Sequence, residues 1–342
     1  MLEPPFDATH GVEQLALTVL ASRDPLQLLS DWAGAAPQGE LAKTLHAVFA
    51  RLTAGERHPA LSAIGVDVRL GERVASLRLL LIPSVFPPEA WGATFLEGLL
   101  RKSLREYRGK RMIELGVGSG WISLALLRLT QLSQIIGVDL NPQAVQIARL
   151  NALLNGYHED GSPQPDRLYD RFSSTTSDLL TAIRAQKRRA DFVIGCIPQV
   201  IAARADTETP QGLYDLSNYA IAQGLVEDTF GLGLNARALR DALTVLEPGG
   251  QVILNLAARP GAAVLARMFE RRGYHQEVLW RARVEQAADT DIQPLVELER
   301  RAGQLLGQYT WWMYSSTIRS DENRQLDMAT LARMIDIQRA RS

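Results

Sequence analysis

Apolar residues recur three or four positions apart in three successive segments within the first 60 residues of the chain. Polar and glycine-containing loops at Arg23–Pro25 and Gly34–Gly39 separate these segments. The spacing is typical of amphipathic helices that bury one face, and such loop residues are common between helices. We therefore predict three short helices, which form an N-terminal helical cap assigned to residues 1–75.

Beyond the cap, short apolar runs of strand length alternate with helical segments. A strand pair is predicted within Val66–Leu81, turning at Leu70-Gly-Glu72. The later segments predicted as strands are Met112–Leu115, Gln134–Val138, the end of Asp170–Leu180, Asp191–Gln199, Gln251–Leu256, Glu277–Arg283 and Tyr309–Ser316; those predicted as helices are Trp121–Leu129, Gln143–Leu154 and residues 325–340. This alternation predicts an α/β fold with a Rossmann-like, doubly wound sheet over residues 76–342.

A proline-rich segment, Ile82–Trp91, follows the strand pair. Its three prolines restrict φ and reduce the entropy that the segment loses on folding. Such stiffness is useful in the wall of a binding site and equally in a rigid linker, and composition does not decide between the two.

The composition is that of a globular protein: of 342 residues, 46% are hydrophobic and 22% charged, with a formal net charge of −1. A chain close to neutrality has no field that attracts nucleic acid or an anionic membrane, so we expect neither partner. Cys196 is the single cysteine, which excludes an internal disulfide and a cysteine-rich metal cluster, and no metal site is expected. No apolar run approaches about 18 residues and no signal peptide is recognised, so a cytoplasmic protein is expected.

The stretch Arg111–Asn155 contains the main functional motif. A short apolar strand runs into Gly116, Gly118 and Gly120, which allow a sharp turn and the close approach of a ligand because they lack a Cβ atom. Asp139 ends the next predicted strand about 20 residues later, the layout of a nucleoside-binding site in which the carboxylate accepts hydrogen bonds from ribose hydroxyls. Dinucleotide dehydrogenases share this spacing, so spacing alone does not name the ligand.

The residues around the glycines resemble the class I S-adenosylmethionine (SAM) methyltransferases, through Glu114-Leu-Gly-x-Gly-x-Gly120 and Asp139-Leu-Asn-Pro142. The resemblance implies SAM as the cofactor, a seven-stranded sheet, and a Glu114 side chain that reaches toward the methionine ammonium. A tight turn without a ligand would leave Glu114 and Asp139 unexplained. The SAM-binding residues implied by the resemblance are Glu114, Gly116, Gly118, Gly120, Asp139, Leu140, Asn141, Asp178, Leu179, Cys196 and Pro198.

Two later strand ends add detail to this resemblance. In SAM enzymes a carboxylate after the third strand bonds the adenine amino group, and Asp178 occupies that place; a helix cap is the alternative. Aminomethylating members end the fourth strand with Asn-Pro-Pro-Tyr, which hydrogen-bonds the acceptor nitrogen, whereas this chain has Cys196-Ile-Pro-Gln199. The site is therefore a poor one for an amide or base-nitrogen acceptor.

Several longer runs are similar to the methyltransferase domain of the methionine S-methyltransferases. They are Ile82-Pro-Ser-Val-Phe86, Gly195-Cys-Ile-Pro-Gln199, Leu216-Ser-Asn-Tyr219, Gln223–Leu234 and Gln286-Ala-Ala-Asp-Thr-Asp-Ile292. The resemblance covers about Ile82 to Glu299. It implies transfer of the SAM methyl group to the thioether sulfur of methionine or a similar small amino acid, giving S-methylmethionine and S-adenosylhomocysteine (SAH). Plants carry this domain fused to an aminotransferase-like region, and bacteria carry it free-standing, the form that this chain resembles.

A thioether acceptor has no proton to lose, so the reaction needs no general base, only an in-line approach of the sulfur to the methyl group. Aromatic faces can hold the sulfonium charge. The carboxylate and the ammonium of the acceptor need charged partners. The alternative for such charged residues is an ordinary ion pair within the protein. The candidates are the aromatic Tyr214, Tyr219 and Phe230, Arg259 for the carboxylate, and Glu227 or Asp228 for the ammonium.

The loop after the fourth strand, Val200–Pro210, departs from the plant sequences, and Ala257-Ala258 replaces a Gly-Gly pair, which leaves the acceptor open. In azetidine-2-carboxylate synthases, on the same fold, the amino nitrogen of SAM attacks its own γ-carbon, giving the four-membered ring and methylthioadenosine. That reaction requires a proton acceptor. Candidates for it are Tyr214, Tyr219, Asp215 and Glu114.

A non-catalytic SAM-binding protein is the second alternative, disfavoured by the polar crowding of residues 213–237. The sequence does not indicate an oligomeric state.

Overall fold

A computed structural model describes residues 11–199, 223–257, 260–284 and 311–319, with the backbone alone at 283–284 and 311–319. The chain divides into two compact units. The first contains the residues up to Glu89, Tyr107–Gly109 and Val117–Thr176, and the second contains Ala90–Glu106, Lys110–Gly116 and the residues from Ser177 onward. The boundary of the cap at residue 75 remains a prediction.

Helices and strands occupy most of the described chain. The helices are α1 (Val12–Ala21), α2 (Pro25–Ala35), α3 (Gln38–Thr53), α4 (Ala90–Arg101), α5 (Trp121–Leu129), α6 (Pro142–Gly156), α7 (Leu168–Arg171), α8 (Thr181–Ala185), α9 (Gly233–Ala242) and α10 (Ala262–Glu270). The strands are β1 (Ser62–Leu70), β2 (Arg73–Leu81), β3 (Arg111–Leu115), β4 (Gln134–Asp139), β5 (Phe172–Thr176), β6 (Ala190–Gly195), β7 (Leu246–Ala257), β8 (His275–Trp280), β9 (Arg283–Val284) and β10 (Trp311–Arg319). Short 3-10 turns lie at Leu104–Tyr107 and Val226–Phe230.

In the first unit, α1, α2 and α3 pack with α6 in a continuous apolar cluster. Leu29, Trp32 and Leu45 of the cap helices are at most 1% exposed, as are Ile147 and Leu150 of α6. Full burial of a side chain of this kind stabilises a fold by about 1.5–3 kcal/mol. The three predicted helices are therefore part of the hydrophobic core of their unit.

Two asparagines of α6 take the place of a neighbouring strand along one edge of β2. Asn155 Oδ1 accepts a hydrogen bond from the Arg78 N–H at 2.9 Å, and Asn155 Nδ2 donates to the Arg78 carbonyl at 2.7 Å. One turn earlier, Asn151 makes the same pair with Leu80, at 2.8 and 3.0 Å. Because a carboxamide offers a donor beside an acceptor, as a peptide does, it satisfies backbone groups that an edge strand would leave open.

The strands form the sheet that the alternating pattern predicts. In the first unit β4 pairs with β5 in parallel, and in the second β3 and β7 flank β6 in parallel, while β10 runs antiparallel between β7 and β8. The strand order is β5-β4-β3-β6-β7-β10-β8. The strand numbers run in opposite directions on the two sides of β3, the arrangement of a doubly wound sheet. The predicted α/β class is confirmed, and the structure shows that five of the strands form the central parallel part of the sheet.

Some predicted elements lie outside the described residues, namely the helix at 325–340 and the run Gln286–Ile292. The last predicted strand, Tyr309–Ser316, is present as β10. No helix in the described ranges combines the length and the apolar character that crossing a membrane requires.

Replacement of Asn151 by leucine is expected to destabilise the fold by about 2–4 kcal/mol. The N–H and C=O groups of Leu80 would lose their partners in a buried position, and each unpaired group costs about 1–3 kcal/mol. Leucine has a similar size, so the loss reports mainly on hydrogen bonding. Urea unfolding followed by circular dichroism measures the difference, with Gln131→Leu, at an exposed position, as the control. Equal unfolding free energies for the two variants would contradict the strand-like role of Asn151.

Candidate functional site

In the first unit, the glycine turn that leads into α5 is fastened to the end of β4. The Gly118 N–H donates to Asp139 Oδ2 at 3.0 Å. From the other side, Asn151 of α6 donates through Nδ2 to the Ser119 carbonyl at 2.9 Å. The three motif glycines have φ values of +68°, +53° and +82° in chain order, a region in which a residue with a Cβ atom is strained. The conformation predicted from the glycine spacing is present.

Asp139 is half-buried and retains acceptor capacity for a ligand. Its Oδ1 accepts from the Asn141 N–H at 2.9 Å and its Oδ2 from Gly118, whereas a carboxylate offers about four acceptor positions. Burial raises the pKa of Asp139 above its usual value, opposed by the N–H groups of Gly118, Asn141 and Leu140, which favour the charged form. The remaining acceptor positions suit the two neighbouring hydroxyls of a ribose.

The first residues of the proline-rich segment lie against this turn within the same unit, which contains the chain up to Glu89. The Ser84 carbonyl accepts from Asn141 Nδ2 at 3.0 Å, and the Ser84 hydroxyl donates to Gln143 Oε1 at 2.6 Å. A Cβ atom on Gly118 would lie 3.6 Å from Val85 Cγ1. These contacts favour the interpretation of the segment as a wall of the nucleoside site over that of a linker.

In the second unit, β3 and β6 run side by side and bring Glu114 near Cys196. Glu114 is 3% exposed. The Cys196 sulfur accepts hydrogen bonds from Asn255 Nδ2, at 3.2 Å, and from the Trp91 indole. Burial of the thiol, with a smaller contribution from the negative charge of Glu114, raises the pKa of Cys196 to about 12 despite these donors. The thiol is therefore neutral at physiological pH.

Two further amide side chains hold the segment that begins at this cysteine, Cys196–Gln199. Asn235 of α9 donates through Nδ2 to the Pro198 carbonyl at 3.3 Å. Gln199 pairs with the backbone of Ala257: its Oε1 accepts from the N–H at 2.5 Å and its Nε2 donates to the carbonyl at 3.4 Å. The segment that stands in place of the Asn-Pro-Pro-Tyr motif is thus fixed by its surroundings in the second unit.

Sequence reasoning did not identify Asn235 and Asn255. Each is at most 1% exposed, and the Oδ1 atom of each has no hydrogen-bond partner among the described residues. A buried amide oxygen without a partner costs about 1–3 kcal/mol, and such groups are frequent at functional sites. For Asn255 the available signal was a polar residue inside the apolar strand Val252–Leu256, where periodicity alone predicts a buried aliphatic side chain.

Asp178, the predicted adenine-binding residue, belongs to a polar network of the second unit and is followed by Leu179, which was also predicted to bind SAM. Asp178 Oδ2 accepts from Arg237 Nη2 at 2.5 Å, and Arg237 Nη1 donates to Gln223 Oε1 at 2.9 Å. Leu179 has a φ of +45°, which is uncommon for a residue with a Cβ atom and recurs at ligand sites. The Asp178 side chain is still 37% exposed, so a further contact is sterically open; its role toward adenine remains a prediction.

The two predicted ammonium partners have different surroundings. Glu227 Oε1 accepts from Arg272 Nη1 at 2.8 Å; burial alone would raise the pKa of Glu227, but this bond and the Arg272 charge lower it overall. Asp228 Oδ2 accepts from the N–H groups of Gln223 and Leu225, at 3.0 and 2.9 Å. Asp228 Oδ1 has no partner in the described part of the chain. Glu227 forms the ion pair that was its alternative, yet its Oε2 is likewise buried without a partner among the described residues, so the role of each carboxylate toward the ammonium remains a prediction.

The remaining candidates are only partly described. Tyr214, Asp215, Tyr219 and Arg259 lie outside the described residues. Phe230 is half-buried at the end of its 3-10 turn. Within the described ranges, no group of three or more His, Cys, Asp or Glu side chains could hold a metal ion.

Parts of this sequence are similar to those of known methyltransferases. Residues 96–185 match the family model of the ribosomal protein L11 methyltransferase, PrmA. The chain is 42% identical to the methionine S-methyltransferases of Hordeum vulgare, over 238 residues, and Arabidopsis thaliana, over 236 residues. Each match covers 66% of this chain but 22% of the relative, so the chain spans about a fifth of the length of these proteins. The predicted resemblance to the methionine S-methyltransferases is confirmed.

Two further matches are shorter or structural. A putative protein N5-glutamine methyltransferase of Methanocaldococcus jannaschii is 38% identical over 82 residues, which is 24% of this chain and 39% of that protein. The structure of a ribosomal protein L11 methylase from Lactobacillus delbrueckii subsp. bulgaricus is 12% identical, with a TM-score of 0.41 over 70% of this chain and 83% of that chain.

The raised pKa of Cys196 predicts that its thiol resists alkylation in the folded protein. The thiolate is the reactive form, and with a pKa of about 12 its population at pH 8 is small. Because Cys196 is the single cysteine, iodoacetamide labelling followed by intact-mass spectrometry reports on this position alone. We expect labelling at pH 8 to be at least about 100-fold slower in the native protein than in guanidinium chloride. Similar rates in the two states would contradict a neutral thiol.

Proposed function

We propose that this homologue of the methionine S-methyltransferases transfers the methyl group of SAM to the thioether sulfur of methionine, giving S-methylmethionine and SAH. The observation that carries the proposal is the end of β6, where a neutral thiol whose sulfur already accepts two hydrogen bonds stands in place of an amide. Such a group is a poor partner for the N–H of an amine or amide acceptor, and a thioether needs no partner of that kind. The 42% identity to methionine S-methyltransferases over 66% of the chain supports the same substrate.

The residues present suit SAM as the methyl donor. When bound, SAM supplies a methyl group activated by a positively charged sulfur. Asp139, with its spare acceptor positions, would accept hydrogen bonds from the ribose hydroxyls, and the glycine turn would leave room beside it. Glu114, buried on β3, would hold the ammonium of the methionyl part, and Asp178 would accept from the adenine amino group.

The chain's contribution to the reaction is positioning rather than proton transfer. The acceptor sulfur has no proton to lose, so no general base is needed. Asn235, Asn255 and Gln199 hold the Cys196–Gln199 segment in one conformation, which keeps the acceptor in line. Glu227 and Asp228, each with one carboxylate oxygen that has no partner among the described residues, are the candidates for holding the acceptor's ammonium.

Product analysis tests the reaction directly. The purified protein is incubated with SAM, with and without methionine, and the products are identified by mass spectrometry. We expect SAH and S-methylmethionine in equal amounts, formed only when methionine is present. Methylthioadenosine formed without methionine would mean cyclisation of SAM, and unchanged SAM under both conditions would mean binding without turnover. Either result overturns the proposed reaction.

Replacement of Asp139 by asparagine is expected to weaken SAH binding by about 10–100-fold, the usual loss when hydrogen bonds to a charged group are removed. Because burial raises the pKa of Asp139 in the folded protein, acidification should weaken wild-type binding at a higher pH than for an ordinary aspartate. The variant should lack that dependence. Titration calorimetry between pH 8 and 5 measures both effects.

Asp67→Asn serves as the matched control for this variant. It removes the same charge from an exposed position on β1, so its SAH affinity and its pH dependence should equal those of the wild type. If Asp139→Asn binds SAH as tightly as Asp67→Asn does, the assignment of Asp139 to the ribose is wrong.

A further inference from the structure

Phe86 is, at 63%, the most exposed large hydrophobic side chain in the described part of the chain. The neighbouring Ile82 and Val85 are each 6% exposed and belong to the apolar core of the first unit. A phenylalanine contributes most when its ring is covered, because it then removes a large apolar area from water. A single exposed apolar residue needs no explanation on a plain surface, but Phe86 occupies a defined place beside the nucleoside site.

The backbone around Phe86 is held in position by the contacts of its own unit. Ser84 is hydrogen-bonded to the side chains of Asn141 and Gln143. The backbone N–H of the same Asn141 donates to Asp139, so Ser84 lies on the Asn141 side of the carboxylate. Val85, one residue further, lies beside Gly118. The segment therefore runs from the Asn141 side of the carboxylate to its glycine side. The next Cα atom is about 3.8 Å further on, and it carries the phenyl ring.

Prolines limit the freedom of this segment on both sides of the ring. Pro83 precedes the fixed serine, and Pro87 and Pro88 follow Phe86 directly. Proline fixes φ and also restricts the residue before it to extended conformations, which applies to Phe86 itself. The exposed ring is thus presented from a stiff backbone, so little conformational entropy is lost when a ligand covers it.

We propose, on the basis of the proposed function, that the Phe86 ring covers the sulfonium end of bound SAM through a cation–π interaction. The sulfonium centre has no N–H group, so it cannot hydrogen-bond to a carboxylate or a carbonyl. The negative face of an aromatic ring attracts a cation within about 6 Å of its centre, and the attraction grows where water is excluded. A phenyl ring carried by the residue after Val85, which itself lies beside Gly118, would supply such a face and shield the charge from water.

The test uses two nucleosides that differ in this charge. SAM is a cation at sulfur, whereas SAH lacks the methyl group and is neutral there. Calorimetry measures the dissociation constants of both ligands for the wild type, Phe86→Leu and Phe86→Tyr. We expect Phe86→Leu to weaken SAM binding by about 10-fold and SAH binding by less than about 2-fold. Phe86→Tyr, which keeps the aromatic face, should bind both ligands as the wild type does.

Val74→Ala is the control, since it truncates another exposed apolar side chain of the same unit, at 44% exposure on β2. It should change neither affinity. Equal losses of SAM and SAH affinity in Phe86→Leu would mean that the ring contributes only apolar area, and unchanged SAM affinity would mean that it makes no contact. Both results overturn the inference.

Failure of the proposed function gives a different result. If the wild type bound both nucleosides but released methylthioadenosine, the proposed reaction would be wrong while the Phe86 comparison would still decide the inference. If the wild type bound neither nucleoside, the function and the inference would both be wrong.

Discussion

The hydrogen bond from the Gly118 amide to the Asp139 carboxylate is the interaction on which the nucleoside site depends. It joins the turn before α5 to the end of β4, and its donor is one of three backbone N–H groups that favour the charged form of the carboxylate, while burial raises its pKa. The turn and the strand are closely packed beside this hydrogen bond, because a Cβ atom on Gly137 would lie 2.4 Å from Val117 Cγ2. One backbone donor thus helps to fix the position of the carboxylate that we propose as the ribose partner.

Neutral amide side chains carry out most of the positioning in both units. Asn151 and Asn155 pair with backbone groups of β2 in the first unit, and Gln199 pairs with Ala257 in the second. A carboxamide supplies a donor and an acceptor without bringing a charge into the interior, where desolvation of an ion would cost far more. In the first unit the same side chain, Asn151, also reaches the glycine turn, so α6 supports the cap and the ligand site together.

The elements and the glycine turn were predictable because their signals are local. Apolar periodicity identified the cap helices and the strands, and the spacing of the glycines identified Asp139. The partners of the Cys196–Gln199 segment were not predictable, because Asn235 and Asn255 are brought there by tertiary packing. Glu227 illustrates the same limit: the arginine that pairs with it, Arg272, lies 45 residues further along the chain, where no local pattern indicates it. A periodic pattern shows which face is buried, not which buried group a side chain will meet.

The chemistry of the single cysteine has a practical consequence. A protein whose one native thiol is kept protonated reacts slowly with maleimides and nitroxide reagents, because the thiolate is the reactive form. A cysteine introduced on a solvent-facing position would then carry a fluorophore or spin label selectively, with the native sequence around β6 left intact. Distances and motions near the proline-rich wall could be followed spectroscopically in a protein whose site had not been altered to permit the measurement.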